Sequence, residues 1–371
     1  MRFTCEKNLL VSAISTASRT VAPKSPIDAL EGLFLRAGVK VSLTGYNLET
    51  GITVELPAEI EETGSCVILP PRLFFDIVRM LPGDSVSISV DEKRKVSIKS
   101  GISSFSITAL SPDDYPELPE VDSEKGIELP QCELKAMISG TSFAVSESQT
   151  RPIHTGCLFE VGEDTVTVVA VDGYRLALRR WKSEAPLARE LRFVVPAAAL
   201  KELEKILADS EEPCRFFLGS RQILFRVGSA TLVCRLLEGE FLDWRRVLPQ
   251  NQPIRLSVNV SQLMNSIERV SLVISEKLKS PVRCLFGENS ADLRSVSTIG
   301  EAHDVCPVAG DGQDLEIGFN SRYLLDALRA VPDSECMLLL NNGLSPVVLT
   351  PCGESDRYAY MVLPVRLKAG E

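Results

Sequence analysis

Apolar residues recur at helical spacing in three stretches of the chain that share one order of elements. The stretches are ILPPRLFFDIVRMLPGDSVSISV from Ile68, VVPAAALKELEKILADSEEPCRFFL from Val194 and GFNSRYLLDALRAVPDSECMLLL from Gly318. In each, a strand end is followed by an amphipathic helix, a turn rich in Pro, Asp, Gly or Ser, and apolar strands. The predicted apolar helix faces carry Leu73, Ile77 and Met80, then Leu200, Leu203 and Leu207, then Leu324, Leu325 and Leu328.

The three stretches recur at a constant interval. From Leu69 to Val195 and from Val195 to Phe319 the separation is about 125 residues, which indicates internal duplication. A second, weaker set of strand–helix stretches falls halfway between them. It begins at Phe3, Glu128 and Leu256, with Leu9, Leu134 and Leu263 at equivalent places. The chain therefore consists of six copies of one unit, a helix with several strands.

Alternating strands follow each helix of the second set, and short turns such as Gly-Glu-Asp at 162–164 join them. Strands joined in this way are antiparallel, and one face of their sheet has to be covered. Two helices per domain cover one face. We therefore predict an α+β fold of three similar domains, each of two helix-plus-antiparallel-sheet units, at 1–122, 123–250 and 251–371. Six such units can stack in a line or close into a ring.

Composition describes an ordinary folded protein, with 371 residues, 44% hydrophobic and 24% charged. No apolar run is long enough for a membrane span and the first residues do not form a signal peptide, so a cytoplasmic protein is expected. The ten cysteines are scattered singly and there are two histidines, which favours buried, reduced thiols over a zinc site. The net charge of −10 disfavours bulk nucleic-acid binding but does not describe any one face.

Catalytic signals are weak. Phosphate-loop, HExxH, GxSxG and GxGxxG motifs are not found. Asp113 and Asp114 could be ligands of a metal-dependent nuclease, although turn residues beside two prolines are the simpler interpretation. His154 could be a general base for Ser146 or Ser148, but a contact residue in a loop is simpler. A binding protein is thus favoured over an enzyme, and an interaction scaffold that never meets DNA is the third hypothesis.

Four motifs together point to one family. They are AVDGYRLAL from Ala170, EFLDWRRVLP from Glu240, GFNSRYLLDAL from Gly318 and YMVLPVRL from Tyr360. The chain resembles, over its whole length, the bacterial sliding clamp, the beta subunit of the replicative DNA polymerase III holoenzyme. The resemblance implies a head-to-tail homodimer that forms a closed ring around duplex DNA, with helices inside. It also implies a nucleoid-associated processivity factor without a catalytic site or cofactor.

The resemblance further implies a hydrophobic groove for partner proteins between the second and third domains. Partners of similar clamps are the replicative polymerase subunit, the clamp loader and repair polymerases, which carry a short motif of Gln followed by aliphatic and aromatic residues. Three matching positions, His154, Leu242 and Pro346, depart from the residues common in related clamps. The other matching positions are Val171, Gly173, Tyr174, Arg175, Leu176, Arg246, Val247, Asn320, Tyr323, Met361, Leu363, Pro364, Val365 and Arg366.

DNA contact is implied for one loop residue, for a second loop, and for basic residues on the inner helices. Ala197 and Ala198 stand where many clamps place basic residues, which weakens the expectation there. The residues expected to face DNA are Lys24, Arg72, Arg79, Ser148, Gln149, Arg151, Lys201, Lys205, Arg322 and Arg329.

The ring interface implied by the resemblance involves Phe105 and Ile107 of the first domain and Leu272 and Val273 of the third. Ordinary core positions are the alternative for these residues. In YMVLPVRL we expect a last strand with an exposed remainder, Met361 and Leu363–Arg366, that forms a wall of the groove. Deletion of Met361–Glu371 is then expected to remove partner binding without affecting the dimer.

Overall fold

We describe the protein from a computed structural model, in which residues 1–122, 126–187, 189–274 and 280–367 are described. Six helices of these ranges coincide with the six predicted repeat units, and a further one-turn helix, α5, lies in the EFLDWRRVLP motif. The helices are α1 (Lys7–Ala17), α2 (Pro71–Met80), α3 (Gln131–Ser139), α4 (Ala197–Ile206), α5 (Trp244–Val247), α6 (Val260–Ser271) and α7 (Ser321–Arg329).

Two compact units make up the chain. The first contains Met1–Lys135 and Ala198–Leu236, and the second contains Ala136–Ala197 and Leu237–Glu371. The middle third of the sequence thus contributes to both units. The division into three domains at 122 and 250 stays a prediction.

An antiparallel sheet of 13 strands runs through the described residues of the first unit. Its strand order is β10-β15-β16-β17-β4-β3-β2-β6-β9-β8-β7-β1-β5. The strands are β1 (Arg2–Glu6), β2 (Leu33–Ala37), β3 (Val41–Tyr46), β4 (Thr50–Leu56), β5 (Glu59–Glu62), β6 (Gly64–Ile68), β7 (Ser85–Val90), β8 (Lys95–Ser100), β9 (Ser103–Leu110), β10 (Ile127–Pro130), β15 (Pro213–Leu218), β16 (Gln222–Val227) and β17 (Ala230–Arg235).

A second antiparallel sheet, of 10 strands, runs through the described residues of the second unit in the order β14-β11-β12-β13-β23-β22-β21-β18-β20-β19. Pairing of β13 with β23 joins strands that are far apart in sequence. The strands are β11 (Gly156–Val161), β12 (Thr165–Val171), β13 (Arg175–Lys182), β14 (Leu191–Pro196), β18 (Ile254–Asn259), β19 (Val282–Val296), β20 (Glu301–Phe319), β21 (Glu335–Leu340), β22 (Val347–Thr350) and β23 (Tyr358–Val362).

Helices cover one face of each sheet. In the first unit α1 packs against α2, β3 and β4, and in the second α6 packs against α7, β19 and β20. The buried face of α2 is formed by Phe74, Ile77 and Val78. The prediction that Leu73 and Met80 are buried is wrong, because both are exposed. The spacing i, i+3, i+4 from Phe74 sets the face, and it rotates Leu73 and Met80 toward solvent.

Most cysteines are buried thiols, as predicted. Cys5, Cys66, Cys157, Cys214, Cys234, Cys284, Cys306 and Cys336 are buried and free, while Cys132 is half-buried and Cys352 exposed. Burial raises the pKa of Cys5, Cys157 and Cys234 to about 12, so these thiols stay protonated and unreactive. Along the ranges that the structure describes, no helix is long and apolar enough to cross a membrane.

Candidate partner-peptide groove and associated surfaces

The DGYRL motif forms the tight turn between β12 and β13. Gly173 has a φ of +92°, a left-handed conformation that favours glycine. Asp172 Oδ1 accepts hydrogen bonds from the backbone N–H groups of Tyr174 (2.9 Å) and Arg175 (3.1 Å). The turn is therefore fixed by its own side chain. As a result, the Tyr174 ring is held on the exposed side of the turn.

Arg175 lies behind this turn rather than on its surface, with a side chain only 9% exposed. Its Nε donates to Asp172 Oδ2 at 2.8 Å and its Nη1 donates to Asp326 Oδ2 at 2.7 Å. The guanidinium carbon also lies 4.5 Å from the centroid of the Tyr323 ring. Charge-assisted hydrogen bonds and a cation–π contact of this kind tie the β12–β13 turn to α7.

Two tyrosines form one aromatic surface next to the turn. The rings of Tyr174 and Tyr323 are stacked with centroids 5.8 Å apart. Tyr323 is oriented by the start of α7, where Asn320 Oδ1 accepts hydrogen bonds from the N–H groups of Arg322 (3.0 Å) and Tyr323 (3.4 Å). This side-chain cap makes Asn320 a helix-capping residue. The predicted residues of two distant motifs thus meet.

Met361 is a core residue of the last strand. It lies opposite Leu176 of β13 and Val348 of β22, and it is only 2% exposed. The prediction that Met361 belongs to an exposed remainder is wrong, because its side chain is buried in an apolar cluster on one face of the sheet. Deletion from Met361 onward therefore removes part of the core as well as the groove wall.

The segment after β23 is attached to two neighbouring elements through its backbone. Leu363 N–H donates to the Tyr174 carbonyl at 2.9 Å, and Val365 N–H donates to the Gly318 carbonyl at 2.8 Å. The segment therefore runs beside the tyrosine surface and the start of α7. Side chains that are half-buried or exposed along it are Leu363, Pro364, Val365 and Arg366.

An apolar cluster on one face of the second sheet lies under these residues, and we call it the groove-floor cluster. Tyr360 Oη donates to the Ala330 carbonyl at the end of α7, so the adjacent Met361 faces the opposite side of the sheet. Leu363 and Val247 pack against the cluster. Its buried members are Ile153, Leu158, Val169, Val171, Leu176, Leu178, Val194, Phe241, Trp244, Val348 and Met361.

His154 stands at the edge of this cluster. Its ring meets the Phe241 ring edge-on, with centroids 5.1 Å apart. Its Nε2 is buried and has no hydrogen-bond partner among the described residues. Burial, and then the charge of Arg151, lower the pKa of His154, so the ring is neutral at pH 7. A neutral, half-buried imidazole can therefore pack here as an apolar side chain.

Three further predicted groove residues, Leu242, Arg246 and Pro346, are not members of the groove-floor cluster. Leu242 and Arg246 are exposed, and Arg246 Nε lies 3.1 Å from Asp243 Oδ2. Pro346 is half-buried, and its carbonyl accepts a hydrogen bond from Gln252 Nε2 at 2.9 Å.

The sequence did not predict a second groove of about 630 Å³ on the same face of the sheet, which we call the flanking groove. Leu178 lines it, two residues beyond Leu176 and thus on the same face of β13. The alternation of side chains along β13 is the sequence signal from which Leu178 could have been placed on this face. The other apolar residues of its lining include Trp244, Leu248, Met337, Leu339 and Ala359, and none of the predicted groove residues lines it.

The basic residues expected to face DNA are all exposed. On α2, the Arg72 side chain is 93% exposed and its Nε is 4.0 Å from Asp76, whereas Arg79 Nη2 lies closer, at 3.5 Å. Lys205 and Arg329 are paired with Glu202 and Glu268, at 2.7 and 2.8 Å. Exposed residues of the same set are Lys24, Ser148, Gln149, Arg151, Lys201 and Arg322. These placements agree with a contact role.

The residues expected at a ring interface are apolar and incompletely buried. Phe105 lies opposite the buried Ile98, so it points to the core face of the sheet, yet it is 42% exposed. Within the described residues, β9 pairs with β8 along Ser103–Thr108 and has no strand on its other edge there. Ile107 and Val273 are half-buried, and Leu272 is 83% exposed. A strand edge and apolar side chains are therefore available to a partner.

The other candidate chemistry has ordinary local explanations. Asp113 and Asp114 lie in a short 3-10 turn, where Asp113 accepts a hydrogen bond from Ser111 Oγ at 2.8 Å. Among the described residues, no group of three His, Cys, Asp or Glu side chains is placed to hold a metal ion.

Three family models of the DNA polymerase III beta subunit match successive parts of the chain. The N-terminal domain matches residues 1–119, the central domain 128–243 and the C-terminal domain 245–366. The chain belongs to the bacterial beta sliding clamp family. This result and the architecture of helices on antiparallel sheets confirm the family and fold class predicted from the sequence motifs.

Individual clamps are similar to the chain over nearly its whole length. The beta sliding clamp of Staphylococcus aureus is 35% identical over 378 residues, which cover 99% of each chain. The crystal structure of the DNA polymerase sliding clamp from Bacillus subtilis superposes with a TM-score of 0.93 at 31% identity, covering 99% of this chain and 100% of that one. The Pseudomonas aeruginosa clamp gives a TM-score of 0.91 at 28% identity with the same coverage.

Proposed function

We propose that the protein is a DNA sliding clamp, a processivity factor that encircles duplex DNA as a head-to-tail homodimeric ring and has no catalytic site of its own. The observation that carries this proposal is the match of three successive beta-subunit domain models along residues 1–366. The free edge of β9 and the exposed Leu272 support a ring of two protomers. Such a ring holds a polymerase on DNA by topology and acts in the cytoplasm.

The charge distribution supports sliding rather than gripping. The net charge of −10 limits nonspecific attraction to phosphates, because phosphate affinity increases with each Lys or Arg contact. Several of the expected contact residues are also neutralised by acidic neighbours, as Lys205 is by Glu202. Weak, salt-sensitive contacts leave the ring free to move while its closure prevents escape.

Partner proteins are proposed to bind at the groove-floor cluster through a short segment with Gln followed by aliphatic and aromatic residues. The cluster offers an apolar floor, Tyr174 and Tyr323 offer aromatic surface, and Arg246 offers a cation at the rim. Burial of two or three side chains, offset by ordering of the peptide, predicts a dissociation constant on the order of 1 μM. Weak binding lets the replicative polymerase, the clamp loader and repair polymerases exchange.

The proposed function is tested by mass and by topology. Light scattering should give the mass of a dimer. After loading by the cognate clamp loader, the protein should stay on nicked circular DNA through a high-salt wash and be released when the circle is linearised. A monomer, or retention that is the same before and after linearisation, would contradict the clamp. DNA cleavage in the same reactions would support the nuclease alternative instead.

For the DNA-facing surface, we expect Arg72→Ala to weaken DNA binding several-fold at low salt. It should also reduce the slope of log affinity against log salt by about one. The reason is the exposure of Arg72 and its distant contact with Asp76, which leave its charge available to a phosphate. Fluorescence anisotropy with a labelled duplex, measured over a salt series, checks this prediction.

Arg36→Ala is the matched control. Arg36 is exposed on β2 between the buried Leu35 and Ala37, so it faces away from the helices that cover the sheet. Removing this charge should leave DNA affinity within twofold. If Arg36→Ala weakens DNA binding as much as Arg72→Ala does, or if Arg72→Ala weakens peptide binding, the assignment of the two faces is wrong.

A further inference from the structure

Helix α5 forms part of the proposed groove, yet it has only one turn. Trp244–Val247 are its four residues, and the preceding Asp243 makes no capping hydrogen bond through its side chain. A helix this short is not stable on its own, because ordering the backbone of the first turn costs more free energy than its hydrogen bonds contribute. Contacts with the rest of the fold therefore decide where Arg246 and Val247 stand.

Glu160 of β11 supplies the polar contacts that hold this helix. Trp244 Nε1 donates to Glu160 Oε2 at 3.1 Å, and Arg245 donates from Nη1 to Oε1 at 3.2 Å and from Nη2 to Oε2 at 2.8 Å. Arg192 of β14 lies on the other side of the carboxylate, with Nε 3.3 Å from Oε1. The Glu160 side chain is only 15% exposed. A single carboxylate thus accepts hydrogen bonds from both of the first two side chains of α5.

The two side chains that donate to Glu160 also connect α5 to the groove-floor cluster. Trp244 is buried in the groove-floor cluster, and the Arg245 guanidinium carbon lies 4.2 Å from the Trp244 ring centroid. Val247 packs against the same cluster from the last position of the helix. Arg246 makes its ion pair with Asp243 alone among the described contacts and is exposed. Glu160 therefore anchors one side of α5 and leaves the groove-facing side available.

We propose that Glu160 is a positioning residue for partner binding: it holds α5 on the sheet so that Val247 and Arg246 form one wall of the groove before a partner arrives. The inference rests on the proposed peptide-binding function and extends it to a residue that does not contact the peptide. A wall that is already ordered spares the complex the entropic cost of ordering its side chains on binding.

The experiment compares full-length variants for binding of a probe peptide, a short fluorescein-labelled peptide in which Gln is followed by Leu and Phe. Glu160→Gln keeps the shape of the side chain but removes its charge and one acceptor oxygen. We expect it to bind the probe peptide roughly three- to tenfold more weakly. Arg245→Gln, which breaks the same contact from the helix, should give a similar loss, and the double variant should lose little more than either alone.

Arg192→Gln is the matched control, because it removes a partner of the same carboxylate without affecting α5. It should bind the probe peptide as the unaltered protein does. A second readout is the fluorescence of Trp244 in a Trp181→Phe background. Emission should shift to longer wavelength in Glu160→Gln and return when the probe peptide is saturating, which a purely structural role does not predict.

Unchanged peptide affinity in both Glu160→Gln and Arg245→Gln would overturn the proposal, as would an equal loss in Arg192→Gln. If the Glu160→Gln protein does not fold, the peptide affinity of the Arg245→Gln protein tests the proposal. If the unaltered protein itself fails to bind the probe peptide, the proposed groove is wrong rather than the role of Glu160.

Discussion

Deletion of Leu363–Glu371 is expected to weaken binding of the probe peptide strongly and to leave a folded dimer. The deletion removes Leu363 from the groove-floor cluster, together with the exposed side chains that follow it. It also removes the backbone hydrogen bonds to Tyr174 and Gly318, which hold this wall beside the tyrosine surface. Loss of one wall should weaken binding by more than tenfold, which is more than about 1.4 kcal/mol, as measured by fluorescence anisotropy.

The position of the cut matters because β23 ends at Val362. Met361 and Val362 are buried and pair with β13 and β22, so a deletion that begins at Met361 removes the last two residues of the strand that β13 and β22 share. Beginning at Leu363 removes two backbone hydrogen bonds, at a net cost of about 1 kcal/mol each. The melting temperature should therefore fall by only a few degrees.

Two controls accompany the deletion. Removal of Lys368–Glu371 alone should leave peptide affinity unchanged, because the proposed wall ends before these residues. Leu363→Ala should give an intermediate loss, since it truncates one side chain and keeps the backbone hydrogen bonds. Normal peptide affinity after deletion of Leu363–Glu371 would place the binding site elsewhere, and the flanking groove would be the next surface to examine.

Local features of the fold could be predicted from the sequence because they depend on neighbouring residues. The six helices follow from apolar spacing, and the turn at Asp172–Gly173 follows from turn chemistry. The choice between Leu73 and Phe74 as the buried residue of α2 was not predictable in the same way. Both are apolar and adjacent, so only the packing of the helix against its sheet distinguishes them.

Long-range features escaped prediction because no local signal specifies them. The pairing of β17 with β4, and of β13 with β23, joins different thirds of the sequence, and strand register depends on the partner rather than on the strand. Glu160 and Trp244 are separated by 84 residues, and no sequence motif indicates that they meet. The groove residues themselves were named through family resemblance, whereas the burial of Arg175 and Met361 required the structure.

The second large effect is expected at the proposed ring interface, where Phe105→Asp should convert the dimer to a monomer. Phe105 faces the core side of β9 but stays 42% exposed in one protomer, so a partner is proposed to complete its burial. A buried carboxylate with no cation or hydrogen-bond donor beside it should destabilise each interface by about 3 kcal/mol. Light scattering over a range of protein concentrations measures the change.

Two variants control for this substitution. Phe105→Leu keeps an apolar side chain and should remain dimeric. Val39→Asp adds the same charge at a fully exposed position in the turn between β2 and β3, and should also remain dimeric. A dimeric Phe105→Asp protein, or a monomeric Val39→Asp protein, would show that β9 is not the interface.

In the proposed ring, Phe105→Asp should abolish DNA retention more readily than it abolishes the dimer. A head-to-tail ring of two protomers has two equivalent interfaces, so each substitution acts twice. Monomers form only when both interfaces separate. The substitution therefore destabilises the dimer by about 6 kcal/mol in total, which raises the dimer dissociation constant about 10⁴-fold. DNA escapes when a single interface opens, and the substitution weakens that interface by about 3 kcal/mol, or about 10²-fold in the opening equilibrium. At protein concentrations where the variant is still partly dimeric, we therefore expect retention on nicked circular DNA to be lost already, and a dimeric variant with normal retention would contradict the assignment of β9 to the interface.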